Sequence, residues 1–149
     1  MKGLFATRSG FSGLVLRLFL AVVFFPHGAQ KVLGWFGGYG FTGTLNFFTN
    51  MMHVPMVLAL AVFAAEFLGP IALAAGFLTR LAALGILLDM IGAVAMIHAH
   101  NGFFMNWAGK TPPAEGFEFH LLAIAIALAL IIGGAGELSV DQAIAGEDA

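Results

Sequence analysis

From Pro55 to Ala99 the chain reads PMVLALAVFAAEFLGPIALAAGFLTRLAALGILLDMIGAVAMIHA, with Glu66, Arg80 and Asp89 as its charged residues. Two apolar runs, about 55–78 and 81–99, approach the ~20 residues that a helix needs to cross the hydrocarbon core of a bilayer. Thr79-Arg80 alone separates them, which predicts a tight antiparallel helical hairpin. Working outward, a run at about 12–33 precedes this hairpin and another at about 119–138 follows it. In the last, Ala123, Ala125, Ala127 and Ala129 alternate with Ile and Leu as a strand would. Alanine is a poor strand former, however, and no turn residue interrupts the run before Gly133-Gly134, so it reads as helix. The expected fold is all-α: a four-transmembrane-helix bundle forming one integral membrane domain over residues 1–149.

Composition agrees. Charged residues make up 9% of the chain, against about 25% in a soluble domain, and the mean hydropathy is +0.98. A soluble core cannot hide that much apolar surface, so the solvent is lipid. The net charge of -2 and the lack of a basic tract speak against a nucleic-acid partner. With no cysteine, the chain cannot by itself supply a thiol nucleophile, a CxxC redox pair or an iron–sulfur cluster. Lys2 and Arg8 precede the first run, but no small-x-small cleavage site follows it, so it reads as a retained span.

Four spans place the segments 34–54 and 100–118 at one end of the bundle, and the short turn and both termini at the other. Lys2, Arg8 and Arg80 lie on the terminal side, with Arg17 inside span one near that end; Lys31 and Lys110 lie on the loop side. The bias puts both termini in the cytoplasm. Gly34-Trp35-Phe36-Gly37-Gly38-Tyr39-Gly40 follows no strand and reads as a loop anchored by Trp35 and Tyr39 rather than a phosphate cradle. Beyond it, Phe41, Leu45, Phe48 and Met52 share a helical face, which predicts a short interfacial helix between spans one and two. Pro55 opens span two where proline is tolerated. The small residues Ala61, Ala65, Gly69, Ala72 and Gly76 form a packing stripe along it.

Ionisable groups within a membrane are costly, so their positions are informative. His27, His53, His98, His100 and His120, the five histidines of the chain, all fall at the loop end, together with Gln30, Lys31, Asn101 and Glu118. Comfort near headgroups accounts for one or two histidines and less well for all of them, which points to a shared polar site. Glu66 and Asp89 sit near mid-span. Arg17 is expected to pair with Glu66 or Asp89, whether for packing or for function. The candidate proton-exchanging or ligand-binding residues are thus His27, Lys31, Glu66, His98, Glu118 and His120, with Arg17, Glu66 and Asp89 as a candidate ion-pair group. No metal is assigned: no helix offers HxxxH spacing, and the pairs His98-x-His100 and Glu118-x-His120 diverge on a helix. A single haem fits histidines gathered at one depth; two haems do not.

Taken in order, several motifs resemble those of the DoxX family of small four-helix bacterial and archaeal membrane proteins. They are Arg17-Leu18, Phe24-Phe25-Pro26-His27-Gly28-Ala29-Gln30-Lys31, Glu66-Phe67-Leu68-Gly69-Pro70, Gly76-Phe77-Leu78-Thr79-Arg80-Leu81-Ala82-Ala83, His98 before Gly102-Phe103-Phe104, Glu118, and Gly133 through Asp141. Pro70 and Ala135 stand where many members are expected to have Gly and Pro. The resemblance implies a bacterial inner-membrane, multi-pass protein near redox chemistry, quinone-linked or concerned with oxidative stress. It points to Arg17, His27, Lys31, Glu66, His98 and Glu118. Its implied ligand is a non-covalently bound quinone, and its implied partners are the lipid bilayer and other membrane or soluble redox proteins. No complete catalytic motif is present, so an enzymatic role is that of an accessory oxidoreductase subunit. Two alternatives stand beside it: a non-enzymatic membrane anchor or assembly factor for a soluble partner, and a small transporter or metal-handling protein. An outward-facing polar pocket, flanked by Trp35 and Trp107, is the expected site.

Overall fold

The computed structural model describes residues 2–8, 10–109, 111 and 114–146; Lys110, used above for orientation, lies outside them. Every regular element among the described residues is helical. In chain order they are α1 (Lys2–Phe5), α2 (Phe11–Val32), α3 (Gly40–Asn46), α4 (Met56–Phe63), α5 (Gly69–Ala75), α6 (Thr79–Met96), α7 (Glu118–Gly133) and α8 (Val140–Ala145). A wide π turn, Ala64–Leu68, joins α4 to α5 into one rod. Three helices are long and apolar enough to cross a membrane: Phe11–Val32, Met56–Ala75 and Thr79–Met96.

The fourth apolar helix, α7, is shorter than expected, with 16 residues. At 1.5 Å per residue it spans about 24 Å, against roughly 30 Å of hydrocarbon. Its end is set by Gly134, whose φ of 81° favours a residue without a Cβ. The chain then folds back across the bundle instead of continuing to Leu138. The hairpin turn also differs from expectation. It is Gly76-Phe77-Leu78, because Gly76 takes the left-handed conformation that closes α5, while Thr79 and Arg80 already belong to α6.

The core is where α2, α5, α6 and α7 meet. Leu20, Ala21 and Phe24 of α2 pack with Leu73, with Ala83, Ile86 and Met90, and with Ala123, Ala127 and Leu130. Those positions recur every three or four residues, as a single buried helical face requires. Along the second rod the buried line is Ala59, Phe63, Glu66, Pro70 and Leu73. Of the predicted small-residue stripe only Gly69 and Gly76 are buried, while Ala61 is exposed. The residue that needs to be small lies on the facing helix: a Cβ on Gly28 would overlap the backbone of Glu66 and Phe67.

Pro70 explains the π turn. It has no N–H to offer the Glu66 carbonyl four residues earlier, so an α-helical bond is lost there. The chain widens instead, and the Gly69 N–H reaches back to the Ala64 carbonyl. The relaxed turn brings the Glu66 backbone against Gly28 and carries the only acidic side chain of this rod into the bundle.

At the loop end, α3 and a second π turn, Phe47–Met51, pack back against the second rod. Phe41 and Phe48, from the predicted apolar face, meet Phe63 with ring centroids 5.2 and 6.1 Å apart. Thr44 is buried beside them.

Candidate functional site

Two buried polar groups organise the bundle, one at the terminal end around Arg17 and one in the interior around Glu66. At the terminal end Arg17 is 1% exposed. It contacts neither Glu66 nor Asp89, contrary to the expected ion pair. Its guanidinium donates instead to backbone carbonyls: Nε to Ala135 at 3.1 Å, Nη1 to Leu73 at 3.1 Å and Ala74 at 2.6 Å, and Nη2 to Glu137 at 3.2 Å and Leu138 at 2.6 Å. The reason is geometric. α5 ends at Ala75 and α7 at Gly133, and both leave carbonyls without helical partners. A planar fork of five N–H donors satisfies such a set as no single carboxylate could.

The same end holds residues that inspection of the sequence passed over as site members. Asp141, 2% exposed, accepts from the Leu78 and Thr79 amides at 2.7 and 2.9 Å, capping α6. Arg80 donates to the carbonyls of Ala6, Ile131 and Ile132, pinning the N-terminal segment to the end of α7. The Thr7 hydroxyl accepts from the Gly136 amide at 2.5 Å. Ser139 caps α8 by accepting from Gln142 at 3.1 Å. The signal was present: Gly76 through Arg80 and Gly133 through Asp141 are the very motifs quoted for the family resemblance, and here they clasp one another.

The second group lies in the interior. Lys31 Nζ forms an ion pair with Glu66 Oε2. Asp89 is in hydrogen-bonding contact with Glu66, and its Oδ2 is enclosed without a partner. The side chains of Lys31 and Glu66 are 23% and 8% exposed, and Asp89 is half-buried. Three helical rods contribute one residue each. The hairpin arithmetic accounts for the meeting of the acids: Glu66 lies eleven residues before Phe77 at the turn and Asp89 twelve after it, so antiparallel packing sets them at one depth. His27 is one helical turn before Lys31 on α2 and is exposed, in line with Val15, Phe19 and Val23 on the outer surface of that helix.

The expected gathering of histidines is only partly present. His98 and His120 meet, with ring centroids 4.1 Å apart. His98 Nδ1 lies 2.8 Å from the Glu115 carbonyl, which can only accept, so that nitrogen carries the hydrogen. His120 is buried, and its Nδ1 has no partner. His27, His53 and His100 are exposed. Histidines at one depth need not share a face, and helical phase separates these. Glu118 accepts from the Met105 amide at 3.1 Å and from Trp107 Nε1 at 2.5 Å, which ties it to the loop rather than to His120. Trp35 packs edge-on against Phe36. The two principal cavities open at the terminal end and touch none of the residues selected from sequence. Among the described residues no three histidine or acidic side chains converge as a metal site would require.

The family model named DoxX matches residues 12–99. That stretch contains Arg17, the inner ion pair and the whole α5–α6 hairpin. The chain belongs to the DoxX family. An uncharacterized protein of Haemophilus influenzae is 32% identical over 139 residues, covering 91% of this chain and 85% of that protein. A Bacillus subtilis protein named "Putative oxidoreductase CatD" is 31% identical over 117 residues, covering 78% of this chain and 76% of its own. No solved structure matches. This DoxX chain is a membrane protein, and its apolar helices have lipid as their outer solvent. DoxX membership covers both buried polar groups, apart from the clasp residues at either terminus.

Proposed function

We propose that this DoxX protein is the membrane subunit of a redox complex, quinone-linked or serving the response to oxidative stress, in the bacterial inner membrane. In this reading α7 is the fourth crossing of a single membrane domain, both termini are cytoplasmic, and α3 with the turn after it lies at the outer interface. The oxidoreductase named among its relatives supports the chemistry. The observation that carries it is the Lys31–Glu66 pair in contact with Asp89, one turn from an exposed histidine. A quinone headgroup needs donors at the membrane surface and a route for protons. His27 and Lys31 supply the donors, and Glu66 and Asp89 continue the route inward. Electrons come from a partner, since this chain carries no redox motif of its own. The stacked His98–His120 pair is a separate proton-exchanging candidate, and Glu118 holds the loop above it.

Binding of a quinone analogue to the purified protein tests this. The wild type binds, and His27→Ala and Lys31→Ala each weaken affinity about tenfold, or ~1.4 kcal/mol. Undetectable binding in the wild type, or affinity unchanged in both variants, sinks the site. The anchor reading then takes its place, favoured by Phe36, Tyr39, Phe104 and Trp107, which stand 66%, 83%, 73% and 83% exposed at the loop end.

Orientation has its own test. Tyr39→Cys and Ala114→Cys react with an impermeant maleimide in intact cells, whereas Ala143→Cys reacts only after lysis. The reverse pattern turns the molecule over.

A further inference from the structure

We propose that Lys31, Glu66 and Asp89 form a binding site for a single exchangeable proton, held between the two carboxyl groups. The argument rests on charge and contact and does not depend on whether the chain serves a quinone. Glu66 touches Lys31 on one side and Asp89 on the other. Two carboxylates have no hydrogen to place between them, so a hydrogen bond linking them requires one.

Charge counting then selects the number of protons. An ammonium and two bare carboxylates sum to minus one; with both carboxyls protonated the set carries plus one. One shared proton makes it neutral. An uncompensated charge within the membrane is costly, so the neutral set is favoured. Among the described residues, the charged groups acting on Asp89 are Glu66 from the second rod and Lys31 from α2. On α7, His120 is stacked against His98, and Glu118 is bonded to Trp107.

The site is also placed to exchange. Asp89 Oδ2 is enclosed and has no partner, while Lys31 and Asp89 as a whole are both half-buried and keep partial contact with the exterior. Release sends the proton outward past the Lys31 end of the group. Lys31 stays an ammonium, the carboxylates keep both negative charges, and the set moves from zero to minus one. Binding is the reverse, and no electron moves.

The test reads the carbonyl stretch of a protonated carboxylic acid by infrared difference spectroscopy, on full-length protein in lipid nanodiscs at neutral pH. The wild type shows the band, and it shifts in deuterium oxide. Asp89→Asn and Glu66→Gln each abolish it, because the one carboxylate left pairs with Lys31. Lys31→Met strengthens it about twofold, since neutrality then requires both carboxyls to be protonated. Should a variant fail to fold, alkaline titration of the wild type decides by itself: the band disappears along the curve of a single ionisation. A wild type without the band, a band undiminished in either single carboxyl variant, or a band lost in two separate steps overturns the proposal. Failure of quinone binding leaves these outcomes unchanged, so the two readings are separable.

Discussion

Arg17→Ala eliminates the folded protein. Its side chain makes five hydrogen bonds, all to backbone carbonyls of the second rod and of the segment after α7. Hydrogen bonds from a charged donor contribute about 1.5–3 kcal/mol each. Removing the donor also takes a partner from each of these carbonyls, of which Leu73 keeps the Gly76 amide. The combined loss rivals the whole stability of a small domain, about 5–15 kcal/mol. Arg17→Lys keeps the charge but not the planar fork, and it recovers only part of the stability. Gel filtration and thermal unfolding in mild detergent measure both. An Arg17→Ala protein that stays monodisperse, with a midpoint within a few degrees of the wild type, removes the clasp as an account of the fold.

Gly28→Val produces the second large effect, by a different mechanism. A Cβ at this position would overlap the main chain of Glu66 and Phe67. Backbone cannot swing aside as a side-chain tip does. The added atoms therefore push α2 away from the π turn, at a cost of about 1–3 kcal/mol or more. Because Lys31 reaches Glu66 across this same contact, the substitution also separates the ion pair. Gly28→Ala already incurs the overlap and is expected to lower the unfolding midpoint, with the valine variant lower still. Midpoints of all three proteins, compared in one detergent, decide the matter. An alanine variant as stable as the wild type means that the helices are not held this close.

Much of this was legible in the chain itself. The apolar runs identify the helices, since burial of that length without charge leaves few alternatives. Lys31, Glu66 and Asp89 stood out because charge is rare there. What remained hidden was which charge meets which. Arg17 was assigned an acidic partner because acids are visible in a sequence, whereas free carbonyls belong to every residue and carry no mark. The histidines were grouped by depth, which spacing along a span reveals. Their facing depends on the rotation of each helix, which depth does not fix: His27 and His100 are exposed, while His120 is buried. The end of α7 turned on Gly134, where a Cβ would run into the Ala6 carbonyl and Thr7 of the N-terminal segment. A contact spanning the chain in this way leaves no local periodicity.

The reach of Arg17 has a consequence for biogenesis. Its last partner, Leu138, lies 121 residues further along the chain. While the ribosome is still making α6 and α7, the guanidinium has no carbonyls from the C-terminal segment to bind, and bare charge is poorly tolerated at the bilayer centre. It must wait by snorkelling toward the headgroups at the terminal end of the bundle, where the long arginine stem allows it to stay hydrated. The membrane helices therefore insert before the bundle can lock, and translation of the final residues triggers the locking. A ribosome halted short of Leu138 would leave a chain that is inserted but unfastened, the state a quality-control protease is placed to recognise.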